Sequence, residues 1–148
     1  MKLSNNTIKI LKNYSDINQS MVFTQGNKLR TLSNAGNIFS ISTIDEEIPV
    51  NVSIYDLSSM LAMLSCLDSP EIEFKKDNLE IFSDKGSFEV YFCDPSLIET
   101  PPESTLDVHP KYEFDLTSSD LQLITKAAAV TKSPALTIKC DGSKVTLK

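Results

Sequence analysis

Apolar side chains recur at helical spacing in two stretches of the chain. Residues 4–17 place apolar side chains on one face and polar ones on the other, and Ser4 or Asn5 can cap the start. A second helix is predicted from Asp56 to Leu67, where leucine and methionine recur at helical spacing. After Asp56 this helix carries no charge, whereas a surface helix normally turns lysine and glutamate toward water. Its uncharged second face therefore needs an explanation.

Around these helices, short strand-like runs alternate with turn signals, which is typical of antiparallel sheet. Strands are predicted at 21–25, 28–33, 38–44, 50–55, 71–76, 79–83 and 87–93. Turns are predicted at 26–27, 34–36, 45–47, 77–78 and 84–86. In the last strand, Phe88, Val90 and Phe92 alternate with polar or amphipathic residues, as in a half-exposed strand. The fold class is therefore α+β, with helices packed on antiparallel sheet.

A proline-rich segment interrupts this pattern. Residues 94–110 contain Pro95, Pro101, Pro102 and Pro110 and favour an extended connector. After it the pattern restarts with a predicted strand, a helix and a hairpin, at 111–117, 118–131 and 135–148. We therefore predict a first domain at 1–94, a connector at 95–110 and an incomplete second domain at 111–148.

The restart resembles the beginning of the chain, which indicates an internal repeat. The helices, the caps and the hairpins about Gly26 and Gly142 coincide. The aligned pairs include Leu3 with Leu116, Ser4 with Thr117, Ile8 with Leu121, Leu11 with Ile124, and Ile17 with Val130. Chance similarity between two helix–hairpin units is the alternative. Because the second copy ends before it can bury its apolar faces, we expect the chain to be part of a longer two-domain protein.

Composition restricts the class of protein. Hydrophobic residues make up 41% of the 148 residues, enough for a packed core, and the net charge is −6. That charge argues against a simple basic nucleic-acid binder, although an acidic protein can still concentrate a few lysines on one face. Cys66, Cys93 and Cys140 are widely spaced, which favours free thiols in a reducing compartment. With no membrane-length apolar run and no signal region, we expect a cytoplasmic protein without a membrane partner.

No pattern of catalytic residues is evident. His109 is the only histidine and lies between prolines, away from any serine or cysteine nucleophile. The four glycines all fall in predicted turns, so a glycine-rich phosphate loop is absent. Asp45, Glu46 and Glu47 could hold a divalent ion, but a solvated turn is the favoured interpretation. We expect no enzyme activity, no cofactor and no metal.

Basic side chains give a more useful pattern. Lys9 and Lys12 share the polar face of the first helix with Asn13. Lys126 lies on the helix of the repeat, and Lys132 follows that helix. Ammonium and amide groups of this kind can contact phosphates without reading bases. An ordinary solvated helix face is the alternative.

Three segments in order resemble a known family. "ILKNYSDIN", "VSIYDLSSMLAMLS" and "CDPS" resemble the sliding clamps of T-even-like bacteriophages, which are processivity factors of the replicative DNA polymerase. The resemblance covers the whole of this chain but leaves out the C-terminal part of a family member. It implies a DNA-clamp fold whose similar domains each carry two helices on β-sheet. It also implies that three subunits form a ring around duplex DNA, with helices lining the hole.

The resemblance further implies roles for individual residues. The residues expected to face DNA are Lys9, Lys12, Asn13, Lys126 and Lys132. The second helix and the last strand of the first domain would meet a neighbouring subunit, through Ser59, Met63, Cys66, Glu89 and Tyr91. The alternative is that the uncharged helix face packs inside its own domain or lines the hole. Partner peptides would dock near the connector, where the candidate apolar contacts are Leu97, Ile98, Leu106 and Val108, with plain packing of the linker as the alternative.

The expected function is therefore that of a sliding clamp subunit in an infected bacterial cell. Its partners would be non-specific duplex DNA, the replicative polymerase and an ATP-driven clamp loader. A full-length version is expected to be a homotrimer. This chain, which lacks one edge of the family's subunit junction, is expected to be a monomer or to associate irregularly. The alternative function is a standalone clamp-fold module that binds partner peptides without forming a ring.

Overall fold

The computed structural model describes residues 1–102, 109–142 and 144–147 and divides the chain into two units, residues 1–103 and 104–148. The helices of the first unit are α1 (Asn5–Ile17), α2 (Leu57–Cys66) and a short 3-10 turn (Pro95–Leu97). Its strands are β1 (Met21–Phe23), β2 (Gly26–Leu32), β3 (Phe39–Ile48), β4 (Val52–Ile54), β5 (Glu71–Phe74), β6 (Asn78–Ser83) and β7 (Gly86–Tyr91). The second unit contains α3 (Ser118–Thr131), β8 (Ile138–Cys140) and β9 (Val145–Leu147).

All strand pairs in the described residues are antiparallel, which confirms the α+β class. β1 pairs with β4, β2 with β3, and β8 with β9, while β5, β6 and β7 form a three-stranded sheet in that order.

The predicted hairpin at residues 26–27 is wrong, because β1 pairs with β4 instead of β2. Buried Met21 lies opposite buried Ile54, so this pairing follows burial, which a local turn signal cannot report.

The start of α1 is held by a strand far away in sequence. Ser4 caps the helix by accepting from the Thr7 amide at 3.2 Å. Glu46 in β3 accepts from the Ser4 amide and, at 2.5 Å, from the Thr7 hydroxyl. The predicted acidic turn at residues 45–47 is therefore wrong. β3 continues through it to Ile48, because Ile44 and Ile48 alternate into the core.

The core of the first unit lies between the two helices and the sheets. α1 and α2 contact each other, and α1 also contacts β2 and β3. Tyr14 is buried and donates its hydroxyl proton to Ser42 Oγ at 2.8 Å, which fixes the rotation of α1 against β3. Side chains from both helices and six of the strands are fully or almost fully buried, among them Leu11, Leu29, Ile48, Ile54, Leu57, Met60, Leu79 and Ile81.

The second unit has a different character. Thr117 and Asp120 form a reciprocal capping box at the start of α3. None of the residues described in this unit is buried, and α3 exposes Leu121, Leu123 and Val130. The predicted strand at 111–117 is wrong, because in the described residues no neighbouring strand pairs with it. The predicted hairpin is confirmed as β8 and β9.

Candidate nucleic-acid interface

The exposed face of α1 carries the candidate phosphate contacts. Thr7, Leu11 and Tyr14 bury the opposite face, so the helix has one fixed orientation. Lys9 and Lys12 are exposed and lie three positions apart, which places them on the same side of the helix. This placement matches the sequence prediction for both lysines.

Lys9 and Lys12 have no ion-pair partner within the described residues, in contrast to Lys75, which pairs with Glu80. Asp16 lies one turn beyond Lys12 but is not paired with it. Two unpaired ammonium groups can neutralise about two phosphates, which corresponds to a salt dependence with a slope of roughly −2. Such contacts are weak and independent of base sequence.

Asn13 adds an exposed amide beside Lys9 and Lys12. An amide can donate to a phosphate oxygen without adding charge. Contact strength on this face is therefore set by two cations, while the amide adds hydrogen-bonding capacity.

The lysines of the second unit are exposed as well. Lys126 lies in the middle of α3, whereas Lys132 is the C-cap in the left-handed conformation, with φ of 52°. Six helical positions separate them, so their side chains leave the helix axis in different directions. Only Ile124 and Ala128 of α3 are half-buried, so this helix has no strongly buried face to fix its rotation.

The uncharged face of α2 is largely exposed instead of being packed within its own unit. Ser59, Ala62 and Cys66 are exposed, while Met63 is partly buried against the core. The Ser59 amide and hydroxyl both donate to the Asp56 carboxylate, at 2.8 and 2.6 Å. These two bonds lower the pKa of Asp56 below its ordinary value and tie Ser59 to the cap of its own helix.

β7 is an edge strand of the three-stranded sheet, because in the described residues it pairs only with β6. Glu89 and Tyr91 are exposed, and the Tyr91 hydroxyl donates to Glu89 at 2.7 Å. This bond raises the pKa of Tyr91. Phe88, which the alternation had placed on the buried face, is 36% exposed at this edge. The sequence does not predict this exposure, because alternation identifies the inward face of a strand but not how completely neighbouring elements cover that face.

Two contacts join segments that flank α2 and β7. Asp68, just after α2, forms an ion pair with Lys85, just before β7. At the other end, the Cys93 amide donates to Ser53 O in β4 at 3.0 Å. The predicted interface residues belong to α2 and β7 themselves, and their role in a subunit contact stays a prediction.

The connector residues have contrasting environments. Leu97 is 65% exposed, whereas Ile98 is 5% exposed. The burial of Ile98 fits the alternative of linker packing, and its contact with a partner stays a prediction. Leu106 and Val108 lie outside the described residues.

The family-model match lies within the first unit. The family model described as DNA polymerase processivity factor matches residues 2–98. The chain belongs to this family. Sliding clamps of three phages are similar to the chain: Vibrio phage KVP40 at 32% identity over 133 residues, Escherichia phage RB69 at 28% over 149, and Enterobacteria phage T4 at 26% over 149. The predicted resemblance to phage sliding clamps is confirmed.

The matches differ in how much of each protein they include. They cover 87% of this chain for the KVP40 relative and 99% for the other two. The chain spans 60% of the length of the first relative and 65% of the other two. The family assignment rests on the family-model match to residues 2–98, which lies within the first unit.

Neither a metal-binding cluster nor a membrane-length apolar helix is found among the described residues. They contain no group of three or more histidine, cysteine, aspartate or glutamate side chains placed to hold a metal. Among them, no helix has both the length and the apolar character needed to cross a membrane. Glu46 was a candidate ion ligand in the sequence, but its carboxylate accepts hydrogen bonds from the Ser4 amide and the Thr7 hydroxyl.

Proposed function

We propose that this chain acts as a DNA polymerase sliding clamp subunit, which surrounds duplex DNA and tethers the replicative polymerase. The observation that carries the proposal is the family match across the first unit. Since the chain spans 60–65% of the relatives' length, the closed ring is proposed for a protein of their full length, as a homotrimer.

The proposed mechanism is topological and requires no covalent step and no cofactor. A ring stays on DNA because it is closed, so its DNA contacts need only be weak enough to let it move. The unpaired Lys9 and Lys12 on α1, with Asn13, suit that requirement. Lys126 and Lys132 are proposed to act in the same way from the second unit. With a net charge of −6, the rest of the surface discourages DNA from binding elsewhere.

The proposed subunit contact uses α2 and β7. The uncharged face of α2 contributes exposed Ser59 and Cys66 and partly buried Met63. β7 contributes Glu89, Tyr91 and a strand edge that is unpaired within the described residues. An unpaired edge offers backbone N–H and C=O groups to a strand of another chain. Exposed small side chains on α2 allow close approach without burying a charge.

Other proposed partners follow from the role of a clamp. An ATP-driven loader would open the ring on DNA, and partner peptides would reach the connector, where Leu97 is exposed. The proposed location is the cytoplasm of an infected bacterial cell, in keeping with the phage origin of the similar proteins.

The decisive experiment is an NMR titration of this chain with a short DNA duplex at low salt. We expect amide shifts centred on residues 9–13, with a dissociation constant on the order of 10⁻⁴ M or weaker. The double variant Lys9→Ala/Lys12→Ala should lose these shifts. Lys76→Ala is the matched control, because it removes an exposed lysine from the β5–β6 turn.

Equal shifts in the wild type and the Lys9/Lys12 variant would contradict the assignment of α1 to DNA. Absence of any DNA effect, together with binding of partner peptides, would favour the standalone interaction module instead.

A further inference from the structure

The chain after β7 folds back over the first unit as a strap, defined here as residues 94–101. Its base is fixed at Cys93, whose amide and thiol both donate to Ser53 O, at 3.0 and 3.5 Å. Burial raises the pKa of the Cys93 thiol, so it keeps its proton for this bond. Asp94 then caps the 3-10 turn by accepting from the Ser96 amide at 2.9 Å.

One side chain holds the rest of the strap. Ile98 is buried, while the other residues from 94 to 101 are exposed or, at Pro101, half-buried. Ile98 also lies outside the main core cluster of the first unit. Its burial is therefore a separate attachment, local to the strap.

A cleft remains between the strap and the strands it crosses. Ser20, Val22 and Arg30 line one side, and Pro95, Glu99 and Pro101 line the other. The cleft has a volume of about 280 Å³, enough for several water molecules. Because the strap is not closely packed along its whole length, its attachment depends on Ile98 and on the base at Cys93.

We propose that the strap is a conformational device that opens and closes about Cys93, with Ile98 as its latch. A segment held by few buried contacts opens locally at a lower free energy than the core. When Ile98 is seated, residues 94–98 are held on the first unit. When Ile98 is released, these five residues lengthen the link by at most about 17 Å. The strap thereby sets the length of the link to the second unit, a property that the proposed clamp function does not specify.

Hydrogen exchange on the full chain tests the latch. The amides of Leu97 and Ile98 donate to Asp94 O and Pro95 O at 3.0 and 3.1 Å, within the strap. Their exchange reports loss of the 3-10 turn, which is expected when Ile98 leaves its buried position. Ile98→Ala should accelerate both by roughly tenfold or more. Leu97→Ala is the matched control, since it shortens the neighbouring exposed aliphatic side chain and should leave the Ile98 amide unchanged.

Two results would overturn the proposal. Equal exchange in both variants would mean that Ile98 does not hold the strap. Equal acceleration at the strap and at the amide of Ile81 in β6 would mean that the strap unfolds only with the core. Ile98→Val, which keeps most of the buried side chain, should give an intermediate rate.

Small-angle scattering tests the effect on the connector. The radius of gyration should increase for Ile98→Ala and not for Leu97→Ala. Faster strap exchange with no change in radius would overturn the claim that the latch sets connector length.

Discussion

The two units begin with aligned helices that have different surroundings. Ser4 and Thr117, aligned in the repeat, are both N-caps in the structure. Leu11 of α1 is 1% exposed, whereas its counterpart Ile124 of α3 is only half-buried. At the end of each helix, Ile17 packs partly against the core, while Val130 is 84% exposed.

The difference comes from what covers each helix. α1 packs on α2, β2 and β3, so one helix and two strands of the first unit cover it. Within the described residues, the second unit offers α3 only one two-stranded hairpin. Most helical stability in proteins comes from packing an apolar face. The comparison thus indicates that α1 is held by its core and α3 mainly by its local sequence.

The largest expected effect tests that contrast by truncating the aligned apolar residues. Leu11→Ala should destabilise the first unit by about 3 kcal/mol, since it leaves a cavity in a closely packed core. Ile124→Ala, its matched control, should reduce stability by less than about 1 kcal/mol, because partial exposure lowers the transfer and cavity costs. Urea unfolding, with hydrogen exchange to separate the units, measures both. Equal losses would show that α3 is held by a core as well.

How far the sequence predicts these features depends on the range of the interactions. Caps and helical periodicity are local, and they correctly predicted both helices of the first unit and Ser4 as a cap. The three hairpins with turns at 34–36, 77–78 and 84–86 were also predicted correctly, because their partners are adjacent in the chain. The errors at β1 and at residues 45–47 both involve long-range contacts, namely the β1–β4 pairing and the Glu46 cap.

The same limit applies to the candidate site, where features set by local sequence were predicted and those set by long-range contacts were not. Exposure of Lys9 and Lys12 follows from helical periodicity alone. Burial of Ile98 does not, since it requires the chain after β7 to fold back over the first unit. Adjacent Leu97 and Ile98 are both aliphatic, so the sequence gives no signal that separates them.

The long-range cap gives the second prediction. Glu46→Gln should destabilise the first unit by about 1.5 kcal/mol, because the hydrogen bonds to Ser4 and Thr7 lose their charge. Glu47→Gln removes an exposed neighbouring charge and should have little effect. Thermal unfolding at neutral pH is the measurement. A change confined to the second unit would contradict this assignment.

The same carboxylate predicts a pH dependence. Partial burial favours the protonated form of Glu46, but the hydrogen bonds from Thr7 and Ser4 outweigh it, so the pKa of Glu46 lies below its ordinary value. A carboxyl group with a lowered pKa stabilises the fold above its unfolded pKa, and this contribution is lost as the pH falls through the folded value. The wild type should therefore lose its advantage over Glu46→Gln below about pH 4.5. A difference that stays constant down to pH 2 would contradict the ionic origin of the effect.

The local cap of α3 gives a smaller effect. Thr117→Ala removes the capping box and should destabilise α3 by about 1 kcal/mol. Because α3 has little packing to compensate, the change should appear as a loss of helicity in residues 118–131, read from NMR chemical shifts. Thr125→Ala, in the middle of the same helix, is the control and should preserve or raise helicity. Unchanged shifts in the cap variant would show that tertiary contacts hold α3.

The smallest effect on stability should come from the exposed lysines of both helices. Lys9→Ala in α1 and Lys126→Ala in α3 should each change the free energy of unfolding by less than about 0.5 kcal/mol, because neither ammonium group is paired within the described residues.

The effect of these two variants on DNA contact should be larger than their effect on the fold. Rigid placement on α1 makes Lys9 part of a fixed cationic face, whereas α3 has no strongly buried face to orient Lys126. We therefore expect Lys9→Ala to weaken the duplex-induced NMR shifts more than Lys126→Ala. Equal weakening by both variants would show that a fixed helix orientation is not needed for the contact.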